Sequence, residues 1–185
     1  MTKFKNLSFM LLAGFLAFTS CDKNSTIDIP LSSVTITMDN IMVNYASNLK
    51  STMNYFEMTQ TITYSEIDGL SEEAKKYRKN IESFLADTVY ITISSTDGEG
   101  TVIENFRIQV DDMSDFSIPE YVFDTPHTAD NLQEYVGQLL MKIMGSESGV
   151  DINLSGETDV VSGEILSIEI TLVGVTLKAK VATLF

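Results

Sequence analysis

The acidic and aromatic residues between positions 111 and 127 are the side chains whose types and spacing best fit a binding chemistry. Asp111, Asp112 and Asp115 lie close together in the chain. Clustered carboxylates suit Ca²⁺, although this spacing fits no EF-hand loop. The same stretch carries three rings that are candidates for contacting a ligand: Phe116, Tyr121 and Phe123. The alternative for these rings is core packing beneath a long connection with little regular structure.

Two tyrosines, each preceded by an asparagine, flank a predicted turn at residues 47–51. We expect Asn44-Tyr45 and Asn54-Tyr55 to lie roughly opposite each other across a hairpin. Aromatic rings with amide neighbours suit stacking on sugar rings, and they suit cross-strand packing equally well. Tyr45 and Tyr55 are therefore candidate ligand-binding residues, with a glycan or a protein as the partner.

The sequence assigns no catalytic residue and predicts no cofactor. His127 is the only histidine, which excludes a multi-histidine metal site, and no Gly-x-Ser-x-Gly motif accompanies it. A pair of carboxylates acting on a polysaccharide stays open as an alternative, because the chain has 26 Asp and Glu residues from which to form one.

The first twenty residues have the features of a secretory signal. Lys3 and Lys5 are their only charged residues, and residues 7–18 form an apolar stretch too short to span a membrane comfortably. The stretch ends at Thr19-Ser20, directly before Cys21. Because Cys21 is the only cysteine, no disulfide forms within one molecule.

A small residue directly before a cysteine at the end of such a stretch resembles the lipobox of bacterial lipoproteins. Phe18 stands where an aliphatic residue is usual, so the similarity is to the looser form found in Bacteroidetes. The resemblance implies removal of residues 1–20 and acylation of Cys21. Acyl chains at Cys21 then anchor the chain in the outer membrane, on its periplasmic or its cell-surface side.

The chain is strongly acidic, with a formal net charge of −14 at pH 7. Removal of the first twenty residues takes away two lysines and makes the balance more negative. A domain of this charge repels phosphate backbones, which excludes nucleic acid as a partner. The charge also argues against adhesion to an anionic membrane through a basic face.

Alternating apolar residues predict a single domain of mainly antiparallel β-sheet over residues 33–185, after a short tether at 21–32. In the last strand the apolar phase changes next to Gly174. A strand that changes the face it buries needs a bulge, a bend or a transfer between sheets. A turn or bulge is likewise predicted near Asp39-Asn40.

Two helices and two further hairpins complete the prediction. One helix of about fifteen residues starts after Ser71, and the other covers residues 128–144. The hairpins join residues 89–93 to 102–110, and residues 150–154 to the strand from 165 onward.

The predicted fold class is therefore α+β, a sandwich-like antiparallel sheet with two helices packed on it. The predicted function is that of a lipid-anchored envelope lipoprotein serving as a non-catalytic binding or adhesion module. The alternatives are a carboxylate-based hydrolase of envelope or extracellular polymers, and a structural subunit of an envelope complex.

Overall fold

The computed structural model describes residues 25–45, 53–96 and 101–181, which form two β-sheets and two α-helices. The strands are β1 (Ser25–Met42), β2 (Asn54–Ile62), β3 (Ile81–Leu85), β4 (Thr88–Ser95), β5 (Val102–Val110), β6 (Phe116–Val122), β7 (Val150–Thr158) and β8 (Ile165–Val181). The helices are α1 (Glu72–Tyr77) and α2 (Leu132–Gly145), and 3₁₀ helices cover Tyr64–Glu66 and Arg78–Asn80.

Sheet A is built around β8, which pairs with β1 along one edge and with β3 and β4 in succession along the other. All these pairings are antiparallel. The register of β1 on β8 shifts between Met38 and Ile41. Asn40 has a positive φ of 61° at this point, so the irregularity predicted near Asp39-Asn40 is confirmed.

The strands of sheet A change the face that they bury at the level of Gly174. Val175, Leu177 and Ala179 are buried on one side of the glycine, and Leu166, Ile168, Ile170 and Leu172 on the other, in the opposite phase. β1 changes phase at the same level, between Leu31 and Val34. We call residues 25–31, 81–85 and 175–181 the lower half of sheet A, and residues 34–42, 88–95 and 165–173 the upper half.

Sheet B has the strand order β2-β7-β5-β6, and its pairings are also antiparallel. Its inward side chains and those of the upper half of sheet A belong to one continuous buried cluster. The Tyr121 hydroxyl on β6 accepts a hydrogen bond from the Ile93 amide of β4 and donates one to the Thr125 carbonyl, each at 2.7 Å. The predicted sandwich-like α+β fold is therefore confirmed.

The two helices lie beside sheet A. Ser71 caps α1 by accepting a hydrogen bond from the Ala74 amide at 3.1 Å. α1 contacts β8, while α2 contacts β3 and β4. The second helix, predicted over residues 128–144, is confirmed from Leu132 to Gly145, and its buried apolar face includes six residues: Leu132, Tyr135, Val136, Leu139, Leu140 and Ile143.

The predicted tether is shorter than the sequence suggested, because residues 25–32 belong to β1. Ser25 lies opposite Val181 and Ile29 opposite Leu177, and Ile29 is buried. Pro30 made this strand hard to predict from the sequence, because proline lacks an amide hydrogen and occurs in sheets mainly on edge strands. β1 is such an edge strand. Cys21 and the predicted signal lie outside the described residues.

The first helix is also shorter than predicted. It ends at Tyr77, a 3₁₀ turn follows, and residues 81–85 form β3 on the edge of β8. The spacing of Ile81, Phe84 and Leu85 fits a helix equally well, so local pattern alone favoured the wrong element. Pairing with β8 overrides that preference and leaves Leu85 65% exposed.

Neither of the two further predicted hairpins forms. β4 belongs to sheet A and β5 to sheet B, so these two strands do not pair with each other. The same holds for β7 and β8. Each of these four strands alternates as predicted. β4, β7 and β8 pair with strands that lie far away in the sequence, whereas β5 pairs with the distant β7 and with β6, which directly follows it.

Candidate functional site

The end of the sandwich at which β1 finishes and β2 begins carries both tyrosines predicted to bind a ligand. Asn44 and Tyr55 lie opposite each other as an isolated bridge, joined by two backbone hydrogen bonds of 2.7 and 3.1 Å. The two segments therefore face each other at this pair, but β1 and β2 belong to different sheets, so this single bridge stands in place of the predicted hairpin. The predicted turn at 47–51 lies outside the described residues.

Four large apolar or aromatic side chains are exposed at this end, which we call the tyrosine end: Met42 at 58%, Tyr45 at 74%, Tyr55 at 44% and Val161 at 58%. The backbone beneath them is fixed. Asn54 donates from Nδ2 to the Val160 carbonyl at 2.8 Å, and the Gly163 amide donates to the Val43 carbonyl at 2.9 Å. The tyrosine end therefore presents four exposed apolar or aromatic side chains on a hydrogen-bonded backbone.

The two tyrosine rings do not pack on each other. The ring contacts found among the described residues join other aromatic side chains. Because Asn44 lies opposite Tyr55, and because successive side chains of an extended chain point to opposite sides, Tyr45 and Tyr55 do not form a cross-strand pair. The alternative of cross-strand packing between the rings is therefore not what this geometry gives, and both keep surface for another molecule.

A groove of about 470 Å³ adjoins Tyr55 on the outer face of sheet B. Its polar lining comes from β2, β5 and β7: Tyr55, Glu57, Asn105, Arg107, Ser155 and Glu157. Glu57 and Arg107 are both in register with Ser155, so these three side chains form one row across three strands. Neighbours in such a row are about 5 Å apart, close enough to contact one small ligand together.

A bulge in β5 shapes this groove. The register between β5 and β7 shifts between Glu104 and Arg107, and Asn105 has a φ of 54°. Below the groove, a Cβ on Gly156 would approach the buried ring of Phe56 to within 2.8 Å. The bulge thus sets the position of Arg107, and the glycine lets Phe56 pack tightly under the floor.

Arg107 is the positively charged side chain that lines this groove. Within residues 25–45, 53–96 and 101–181, none of the ion pairs involves it, although two glutamates line the same groove. Its guanidinium therefore keeps its donors available for a ligand. Sequence reasoning missed Arg107, yet it is the only Lys or Arg between Lys79 and Lys142, and a lone cation in an acidic stretch was the available signal.

The three other predicted ligand-binding rings are core residues. Phe116 and Tyr121 are 1% exposed and Phe123 is 7% exposed. Phe116 packs against Tyr135 at 5.3 Å between centroids. Burial corrects the prediction that these rings contact a ligand and confirms their alternative as core. The stretch 111–127 also contains β6, so it is not the irregular connection that was expected.

The predicted calcium ligands do not form a cluster. Asp111, Asp112 and Asp115 are exposed in the turn between β5 and β6. Asp115 accepts a hydrogen bond from Gln109 at 2.8 Å, and Asp112 lies 3.9 Å from Lys142. Among the described residues, no group of three His, Cys, Asp or Glu side chains is placed to hold a metal ion. The geometry therefore gives the calcium prediction no support.

Comparison with known proteins gave no relative. No family model matches the chain, and neither a curated protein nor a solved structure matches it. In the part of the chain that the structure describes, no helix has the length and apolar character needed to cross a membrane.

Proposed function

We propose that the chain is a lipid-anchored lipoprotein of the bacterial outer membrane whose tyrosine end and adjoining groove bind a carbohydrate without altering it. The observation that carries the binding proposal is the position of Tyr55. Its ring is 44% exposed and stands where the apolar tyrosine end meets the polar groove. An exposed ring beside convergent polar groups is the arrangement expected of a site that holds a molecule with one apolar and one polar face.

The chemistry of the lining supports a sugar as the ligand. A pyranose ring offers an apolar face to a tyrosine and hydroxyl groups at its rim. Arg107 supplies several N–H donors, while Glu57 and Glu157 supply acceptors. Because hydroxyl groups both donate and accept, they match a groove that presents both kinds of partner.

Affinity gel electrophoresis in dextran, mannan or xylan tests the binding proposal. We expect at least one polysaccharide to slow the protein, and we expect Tyr55→Ala and Arg107→Ala each to remove most of the retardation. Leu85→Ala is the matched control, because Leu85 is an exposed apolar residue of the lower half of sheet A. Unchanged mobility of the wild-type protein in all three gels contradicts carbohydrate binding.

A second candidate, a carboxylate-based hydrolase, is favoured by one observation, namely that Glu57 and Glu157 line the same groove. Two carboxylates flanking a glycosidic bond are the usual requirement of such enzymes. Release of reducing ends from the retained polysaccharide, lost in Glu57→Gln or Glu157→Gln, would favour hydrolysis over binding alone.

The anchoring proposal rests on the sequence around Cys21. We expect metabolic labelling with an alkyne fatty acid to mark the protein expressed in a bacterial host, and Cys21→Ala to abolish the label. The labelled chain should also partition with membranes. An unlabelled wild-type chain, or a Cys21→Ala variant that still carries the label, contradicts anchoring through this residue.

A further inference from the structure

Basic side chains are concentrated in the lower half of sheet A and the helical segment that leads into β3. Residues 25–31, 72–85 and 175–181 contain six Lys and Arg against four Asp and Glu. The other described residues contain two Lys and Arg against nineteen Asp and Glu. The acidic character of the chain therefore belongs to the remainder of the molecule, and the lower half has a small positive excess.

Some of these cations are held by neighbouring groups. Lys75 pairs with Glu72 at 3.0 Å, and Lys79 and Lys180 pair with Glu147 and Glu82. Arg78 is committed to the end of α2, since it donates to the carbonyls of Met144 and Ser146 at 3.0 and 3.1 Å.

Two lysines of this half are available. Lys76 and Lys178 are exposed, and neither takes part in an ion pair among the described residues. The Lys76 ammonium lies 5.0 Å from the centre of the Tyr77 ring. Lys178 lies on β8, in register with Asp28 of β1. Both ammonium groups are free to meet an external anion.

The same half of sheet A contains the start of β1. Ser25 is paired with Val181, and both Ile27 and Ile81 are in register with Ala179. Four residues of fully extended chain, the separation of Cys21 from Ser25, span at most about 14 Å. The other end of β1 leads into the tyrosine end, and 18 strand residues extend up to about 60 Å.

We propose that the lower half of sheet A faces the anionic phospholipid headgroups of the leaflet in which Cys21 is anchored, so that the tyrosine end points away from the membrane. The proposal rests on the proposed anchoring at Cys21. Anionic headgroups attract the basic lower half and repel the acidic remainder of the molecule. Both effects favour the orientation in which the lower half lies nearest the membrane. Overall acidity argued against such contact, and the separation of charge within the fold removes that objection.

Chemical coupling through Cys21 tests the orientation without relying on cellular acylation. The chain from Cys21 onward keeps every described residue and has one thiol. It is coupled to a maleimide lipid in one of two kinds of vesicle. The neutral vesicles are of phosphatidylcholine, and in the anionic vesicles about one third of the lipid is phosphatidylglycerol. Lysine acetylation by a water-soluble reagent is then quantified by mass spectrometry, with Ser162→Lys supplying an exposed reporter near the tyrosine end.

We expect Lys76 and Lys178 to be acetylated at least threefold more slowly on the anionic vesicles than on the neutral ones, and 0.5 M salt to remove the difference. The reporter at 162 should react equally on both. Combined Lys76→Gln and Lys178→Gln should remove the protection of the neighbouring Lys75. A control with the same net charge, Thr59→Glu with Ser117→Glu on sheet B, should keep it.

Equal acetylation of Lys76 and Lys178 on the two kinds of vesicle overturns the proposed orientation, as does selective protection of the reporter at 162. Loss of the fatty-acid label in cells has a different meaning. It contradicts acylation of Cys21 and leaves the result on coupled vesicles unaffected, so the two failures are distinguishable.

Discussion

Gly174 is the residue at which sheet A changes its buried face. Its backbone conformation and the lack of room for a side chain both require glycine at this position. Its φ is 64°, and a Cβ would lie 2.0 Å from the Asp87 carboxylate. We therefore expect Gly174→Ala to lower the free energy of unfolding by about 2 kcal/mol. Urea denaturation followed by circular dichroism measures this change.

The Asp87→Ala variant separates the two costs of Gly174→Ala, namely steric crowding against Asp87 and the positive φ. In that background the carboxylate is gone, so Gly174→Ala should cost less, while the cost of the positive φ stays. An identical cost in both backgrounds would show that crowding by Asp87 has no part in the requirement for glycine.

Tyr135 makes the stability of the protein sensitive to alkaline pH. Burial, with a smaller contribution from the Asp115 carboxylate, raises the pKa of Tyr135 to about 12. The unfolded chain has an ordinary tyrosine pKa of about 10, so the folded state holds the phenol proton more tightly. This stabilisation is complete below pH 10 and is lost as the pH rises from 10 to 12.

We expect the free energy of unfolding to fall across this alkaline range, and to fall less steeply in Tyr135→Phe. The variant also loses the 3.2 Å hydrogen bond from its hydroxyl to the Ile108 carbonyl, so the slope with pH is the informative quantity, not the absolute stability. Burial also raises the pKa of Tyr121, so part of the slope should persist in the variant. An unchanged slope in Tyr135→Phe would refute the argument.

At the scale of elements, the sequence predicted which face each strand buries better than which strand it pairs with. The phases of β8 on both sides of Gly174 are those that alternation indicates. Alternation carries no information about the neighbouring strand, however, because any strand with one apolar face fits. The partners of β4 and β5 therefore had to come from the three-dimensional structure.

β3 shows the limit of local pattern at the same scale. Ile81 and Phe84 are partly buried against the core and Leu85 is exposed, which suits a short edge strand beside β8. A helix would have put all three on one face. Residues 81–85 form a strand because they pair with the edge of β8 at residues 176–179, and not because of their own sequence.

At the scale of the whole molecule, the candidate site is only partly visible in the sequence. Tyr45 and Tyr55 are ten residues apart, and a local turn suffices to bring them to one end. Arg107 and Glu157 join Tyr55 only because β5, β7 and β2 are adjacent in sheet B. Sequence analysis could find the first kind of neighbour and not the second.

The pairing of β1 with β8 has a consequence for how the protein folds. The two strands pair from Ser25 opposite Val181 to Met42 opposite Ile165, with one register shift, so sheet A joins the first and last strands of the described chain. Contacts this distant in sequence form slowly, because a long loop must be closed before any of them exists. Sheet A is therefore completed only after β8, the partner of its other three strands, has been synthesised. Until then β1, with its apolar residues Val34, Ile36 and Met38, has no partner strand in sheet A.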